Sequence, residues 1–214
     1  KMLQSKMTDS ILSVEKKGDS TLLHVRSLDG KERYVRLKET QIESRTIVLA
    51  EDVTTSTLER LRIERERDYD LLTGLYNRRA FYRFAGRLFD RPDKMKHAAV
   101  VMMDLDNLKR TNDTFGHEWG DRYIHEAAVC FLRSIPDGTL CARVSGDEFN
   151  ILFCGYDSRE AVQRAIDRLV SGIENSHFNL PDGQATRIHV SGGIAWYPED
   201  GTELMELIKC ADFA

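Results

Sequence analysis

Residues Leu140–Gly155 read LCARVSGDEFNILFCG. Two apolar stretches flank the polar tetrapeptide Ser145-Gly146-Asp147-Glu148, the pattern of two buried strands joined by a tight turn. Adjacent carboxylates at such a bend repel and raise each other's proton affinity. The placement makes sense only if a positive partner belongs there. The fold has to show what else converges on the turn.

The flanking sequence alternates in type. NRRAFYRFAGRLFD (Asn77–Asp90) predicts a helix, and KHAAVVMMDLD (Lys96–Asp106) a buried strand ending in two acids. GDRYIHEAAVCFLRSI (Gly120–Ile135) predicts a long amphipathic helix, followed by the hairpin. SREAVQRAIDRLVSGIEN (Ser158–Asn175) is another helix, TRIHVSGGIAWYP (Thr186–Pro198) a strand, and TELMELIKCADFA (Thr202–Ala214) a last helix. The order α-β-α-β-β-α-β-α contains the β-α-β-β-α-β unit of a ferredoxin-like α+β fold, an antiparallel sheet with helices on one face. In that arrangement the first strand and the hairpin strands are neighbours in mid-sheet. The turn then comes close to Asp104 and Asp106.

Three or four carboxylates at one point call for a cation. Mg²⁺ favours few carboxylates, several waters and substrate phosphates. The bend therefore reads as half of a metal–phosphate site. The plainer alternative is a solvated acidic turn, with Asp106 capping a helix. The segment after the acids, DLDNLKRTNDTFGHEWGD (Asp104–Asp121), adds Asn107, Lys109, Asn112, Asp113, His117 and Asp121. Backbone N–H groups at a helix start can hold phosphate oxygens. A carboxylate and an amide together can read guanine: the Asp accepts from N1–H and the amino group, and the Asn donates to O6 or N7. His117 reads as structural and Asp113 as a local turn or cap.

The remainder is less specific. Residues 1–54 read as β-rich: Thr21–Thr54 holds three alternating runs with a hairpin signal at Asp29-Gly30, and Met2–Gly18 reads as a short helix. STLERLRIERERDY (Ser56–Tyr69) is a charged linking helix, spanning residues 55–69 as a segment, with Leu58 and Leu61 on one face. It is either solvated or a short coiled-coil seam pairing two chains. Residues 70–214 form the main domain. With 41% hydrophobic and 31% charged residues among 214, the composition is that of an ordinary globular protein. A net charge of −4 argues against a broad nucleic-acid surface. The four cysteines form no C-x-x-C pair, which predicts buried free thiols in a reducing compartment and no zinc site. The apolar run Ala98–Met103 is far short of the ~20 residues of a membrane span, and no signal peptide opens the chain. The expected location is cytoplasmic, with a membrane segment in a longer parent still open.

Four stretches in register resemble the GGDEF domain of diguanylate cyclases. They are DLLTGLYNRRAF (Asp70–Phe81), DLDNLKRTNDTFGHEWGD, VSGDEF (Val144–Phe149), and VSGGIAWYPEDG (Val190–Gly201) followed by LIKCADFA. The resemblance implies a palm-like sheet related to nucleotide cyclases. Two such domains, each with one GTP, would face each other as a homodimer and form cyclic di-GMP and pyrophosphate. It further implies Asp104, Asp147 and the Leu105 carbonyl as ligands of Mg²⁺, with Mn²⁺ a substitute. Glu148 would support the metal or the proton transfer, and Asn112 and Asp121 would read guanine. Gly146 would let the backbone approach the nucleotide, and the N–H groups of Asn107, Leu108 and Lys109 would hold the terminal phosphates. Residues 1–54 resemble the last three strands of a PAS sensor domain, closing on AEDVT.

The sequence departs from the family pattern in three places. Ser145 replaces the first glycine of the signature. PDGT (Pro136–Thr139) stands where the family's R-x-x-D product site would lie. The phosphate-binding Lys and Arg of the family's final helix are not in this sequence. A degenerate domain that binds GTP and regulates a partner is the alternative to a working cyclase. A cyclase with other base preference is disfavoured by Asp121.

Overall fold

The computed structural model describes residues 10–43 and 45–213. The chain divides into two compact units between Arg65 and Glu66.

The first unit is one antiparallel sheet of four strands in sequence order: β1 (Ile11–Lys17), β2 (Ser20–Arg26), β3 (Glu32–Ile42) and β4 (Arg45–Asp52). The helix expected before Gly18 is absent from Ile11–Lys17. ILSVEKK has no regular alternation and pairs with β2 instead, so strand pairing prevails over the local helix signal. The rest of that expected helix, residues 2–9, lies outside the described residues. Helix α1 (Thr54–Asp68) follows, with Leu58 and Leu61 exposed.

The second unit is built on a five-stranded sheet. Its strands are β5 (Tyr76–Asn77), β6 (His97–Leu105), β7 (Leu140–Ser145), β8 (Glu148–Tyr156) and β11 (Val190–Tyr197), in the spatial order β11-β6-β8-β7-β5. The four long strands pair antiparallel, in the ferredoxin-like order. The short β5 adds a parallel partner to β7, so the sheet is mixed. A small hairpin, β9 (Phe178–Asn179) and β10 (Ala185–Thr186), pairs apart from it.

Helices cover both faces of this sheet, not the one face expected. On β6, Ala99, Val101, Met103 and Leu105 face a core closed by α5 (His117–Ser134) and α6 (Arg159–Glu174). The alternate residues Ala98 and Val100 face a second core closed by α2 (Arg78–Phe89) and α7 (Leu204–Asp212). This is why Ala98–Met103 is continuously apolar: a strand buried on both faces does not alternate. Two short helices complete the unit, α3 (Pro92–Met95) and α4 (Leu108–Phe115). Three helices start at side-chain caps, whereas the longest, α5, starts at Gly116 without one. Asn77 accepts from the Ala80 amide at the start of α2, Ser158 accepts from Ala161 at α6, and Glu203 with Glu206 forms a capping box at α7.

The cysteines are free. Burial pushes the Cys141 thiol up to about 12, which leaves it inert. Cys130 and Cys154 are half-buried, whereas Cys210 is exposed, against the expectation of burial.

One polar residue sits inside the α2/α7 core. Asn150 of β8 lies between Met102 and Ala142 on the neighbouring strands, is 1% exposed, and has no hydrogen-bond partner among the described residues for either amide atom. An unsatisfied buried amide costs about 1–3 kcal/mol, and truncation to alanine removes that cost along with the packing of the carboxamide. Asn150→Ala is therefore expected to raise the stability by about 1 kcal/mol in urea denaturation. A loss of stability would show that the amide is satisfied.

Candidate functional site

The hairpin turn lies where the sequence places it. Ser145 pairs with Glu148 across the two-residue turn Gly146-Asp147. Ser145 is not among the residues with positive φ, so serine replaces the signature glycine here without backbone strain. β8 runs directly beside β6, and Asp104 is the cross-strand partner of Glu148. The Leu105 amide donates to the Asp147 carbonyl at 3.0 Å, pinning the turn to the end of β6. Asp104, Asp147 and Glu148 thus share one edge of the sheet.

Like charges placed opposite each other destabilise a strand pair. The Asp104 carboxyl bears the cost: partial burial, then Asp147, Glu148 and Asp106, hold its pKa above the ordinary value. Among the described residues no three His, Cys, Asp or Glu side chains gather into a full metal cage. Mg²⁺ does not need one, since it keeps waters and takes substrate phosphates. Asp104 and Asp147, whose charges already oppose each other, fit such an ion, with the Leu105 carbonyl next to Asp104 in the chain as a neutral oxygen.

Asp106 does not cap the following helix. Its carboxylate accepts one shared hydrogen bond from the Ser191 hydroxyl, with its two oxygens at 2.9 and 3.1 Å, and its amide donates to the His189 carbonyl. Asn107 is the N-cap of α4 instead, in the left-handed region at φ 65°, and its side chain makes no cap bond. The N–H groups of the first turn of a helix have no intrahelical acceptor. Those of Leu108 and Lys109 therefore open beside the acidic edge, as an anion-holding turn requires.

Beyond α4 the chain reverses at Gly116, whose φ of 87° suits only glycine. Helix α5 then begins at His117, three residues earlier than the sequence pattern indicated. The reversal sets the Asn112 side chain of α4 against Gly120 of α5, the residue next to Asp121. Asp121 opens into a groove of about 720 Å³ with Leu72, Trp119 and Arg122. Arg122 lies over the Trp119 ring at 4.7 Å. Asp113 is exposed within α4 and makes no turn or cap there, while His117 is exposed at the first position of α5. At Gly146 a Cβ would meet no protein atom within 4 Å, which leaves that side of the turn open.

Two residues that the sequence reading passed over organise this edge. Arg143 of β7 donates from Nε to the Gly146 carbonyl at 2.9 Å and pairs through Nη1 with the Asp70 carboxylate at 3.3 and 3.4 Å. Asp70 also accepts from the Thr73 amide and hydroxyl. Asn77 caps α2 with its amide oxygen and donates with its nitrogen to the carbonyls of Arg67 and Tyr69. The opening motif DLLTGLYN therefore ties the end of the linking helix to the start of the domain, and through Arg143 to the acidic turn. A lone arginine three residues before the turn, in a strand otherwise apolar up to Ser145, was the available signal.

Beside Pro136–Thr139 lies a groove of about 910 Å³ lined by Arg87, Asp90, Arg91, Lys94 and Thr139. Cations are present there, and the carboxylate comes from Asp90, with threonine at position 139.

Residues 67–214 match the family described as diguanylate cyclase, GGDEF domain. A sensory box/GGDEF family protein from Caulobacter crescentus is 31% identical, with a TM-score of 0.61 over 69% of this chain and 94% of that one. The coiled coil and GGDEF domain of DgcB from the same organism, solved with c-di-GMP, is 25% identical, with a TM-score of 0.62 over 75% of this chain and 87% of that one. An uncharacterized membrane protein of Staphylococcus aureus is 30% identical over 140 residues, which are 65% of this chain and 39% of that protein. The chain thus spans well under half the length of the curated relatives it matches. No helix among the described residues is long and apolar enough to cross a membrane.

Arg143→Lys is expected to destabilise the second unit. Lysine cannot donate in two directions from one planar group, and a hydrogen bond to a charged partner contributes about 1.5–3 kcal/mol. Chemical denaturation of wild type and variant checks this, and equal midpoints would mean that Arg143 holds neither partner in solution.

Proposed function

The chain belongs to the GGDEF family of diguanylate cyclase domains, and from that premise we propose that it condenses two GTP molecules into cyclic di-GMP with release of pyrophosphate. The observation that carries this reading is the register that sets Asp104 opposite Glu148 and bonds Leu105 to the Asp147 carbonyl. The c-di-GMP bound to the Caulobacter domain supports the choice of product.

In this reading each residue has one task. Asn112 and Asp121 hold the guanine edge, with Asp121 accepting two hydrogen bonds that adenine does not offer. The N–H groups of Asn107, Leu108 and Lys109 hold the terminal phosphates. Gly146 lets the nucleotide lie against the turn. Asp104, Asp147 and the Leu105 carbonyl would hold Mg²⁺, or Mn²⁺ in its place, which when bound would lower the pKa of the attacking hydroxyl and neutralise charge on the transferring group. The 3′-oxygen of one GTP bonds to the α-phosphorus of the other, and the bond from that phosphorus to the β-phosphate oxygen breaks. Glu148 takes the hydroxyl proton, and pyrophosphate leaves. A second, symmetric step closes the ring.

One domain holds one GTP, so turnover requires two chains face to face. The exposed Leu58 and Leu61 of α1 support pairing through the linking helix. The reading places the domain in the cytoplasm, where GTP is found, and the membrane-protein relatives support anchoring of a longer parent. We assign residues 1–54 to a PAS-like segment, 55–69 to the linker and 70–214 to the catalytic domain. A silent GTP-binding domain is the competing reading, and the retained acids and base readers favour turnover. With no carboxylate at Thr139, feedback through the family's usual product site is weakened.

Incubation of the purified chain with GTP and Mg²⁺, with chromatographic separation of the products, tests this reading. Cyclic di-GMP is expected, and Asp147→Asn should abolish it while leaving the fold intact. Metal stabilisation of such a transition state is worth several kcal/mol, roughly a hundredfold or more in rate. Near-normal turnover by the folded variant would contradict the assignment.

A further inference from the structure

Helix α5 opens His117-Glu118-Trp119-Gly120-Asp121, and glycine is the wrong residue at position 120 by local criteria. The position is buried and helical, with no positive φ that would call for glycine. Alanine is the better helix former. The explanation lies across the Gly116 reversal. A Cβ on Gly120 would stand 1.9 Å from Oδ1 of Asn112, 2.8 Å from its Cγ and 3.2 Å from its Nδ2. No carbon and oxygen share that space. The clashing atoms are the end of a side chain with two rotatable bonds, so an added methyl would turn the amide aside and leave the helix in place. Gly86 of α2 makes the contrast: a Cβ there meets nothing within 4 Å.

We propose that Gly120 is a positioning residue for base selection: its bare Cα is the seat that holds the Asn112 carboxamide in the rotamer that reads guanine beside Asp121. The inference rests on the guanine-reading role given to Asn112 and Asp121 above. Helix α5 then makes two contributions to the same base from adjacent residues. Asp121 supplies a carboxylate, and Gly120 supplies the gap that aims the amide of α4. The Gly-Asp pair is one device, with the glycine acting through Asn112 and touching no substrate itself.

The test uses the 214-residue chain, a non-hydrolysable GTP analogue with Mg²⁺, and four variants: Gly120→Ala, Asn112→Ala, the double variant, and Gly86→Ala. Gly120→Ala and Asn112→Ala should each weaken analogue binding in calorimetry by about tenfold, near 1.4 kcal/mol. The double variant should bind no more weakly than Asn112→Ala, because the glycine acts only through the amide. Gly86→Ala should match wild type. The side-chain amide resonance of Asn112, identified by its loss in Asn112→Ala, should move in Gly120→Ala with or without nucleotide. An unmoved resonance overturns the proposal, and so does a double variant in which the two losses multiply. If the resonance moves but Asn112→Ala binds the analogue as wild type does, the seat exists and the base-reading premise fails. If Gly120→Ala alone does not fold, recovery of its thermal midpoint in the double variant gives the supporting result, since truncating the Asn112 side chain vacates the space. No recovery there overturns it.

Discussion

The structure of the acidic edge depends on one backbone hydrogen bond, from the Leu105 amide to the Asp147 carbonyl. It locks the hairpin turn to the end of the central strand. Its consequence is electrostatic: Asp104, Asp147 and Glu148 are forced onto one edge, and the Asp104 carboxyl is held above its ordinary pKa. A sheet gains nothing from this crowding. The apolar strands behind it provide the rigidity that keeps the acids together. Met103 and Phe149 lie directly under the acids and are fully or nearly fully buried, and Phe149 meets Phe131 of α5 edge-on at 5.1 Å. Burial of both sheet faces thus supports the strained electrostatics at the edge.

Around that edge, polar residues act as struts. Ser191 holds the Asp106 carboxylate by one shared hydrogen bond, Arg143 braces the turn from the other side, and Asn77 anchors the end of the linking helix. The braces run from Asp70 through Arg143 to Gly146. Asp70 follows the last residue of α1 by two positions, so a change at the end of the linking helix has a route to the acidic turn through that backbone and then through Arg143. Use of that route as a switch would require two discrete arrangements of it.

Much of this architecture was legible because its signals are local. A strand ending in DLD, a two-residue acidic turn and helices of clear period each announce themselves within a dozen residues. The strand order followed from the β-α-β-β-α-β succession. Other features depend on contacts between distant residues. The second helical layer was hidden because a run such as AAVVMM does not say how many faces it buries. The two-residue strands β5, β9 and β10 are too short for any period. Ile11–Lys17 reads as helix because SVEKK suits a helix locally, and only pairing with Ser20–Arg26 makes it a strand. Among site residues, Asp104, Asp147, Glu148, Asn112 and Asp121 stood out as polar groups at strand and helix ends. Their supports did not: Ser191 lies 85 residues from the group it serves and Gly120 meets Asn112 across a chain reversal, so the motifs that contain them do not reveal what they touch.

The central claim is that the turn and the strand end share a divalent cation. Mn²⁺ titrated into the chain with a non-hydrolysable GTP analogue, followed by electron paramagnetic resonance, reads that claim without requiring turnover. The account predicts a bound-Mn²⁺ signal in the wild type, and a loss of affinity of about tenfold or more in both Asp104→Asn and Asp147→Asn. Mn²⁺ binding that is unchanged by either substitution, in chains that remain folded, would contradict it.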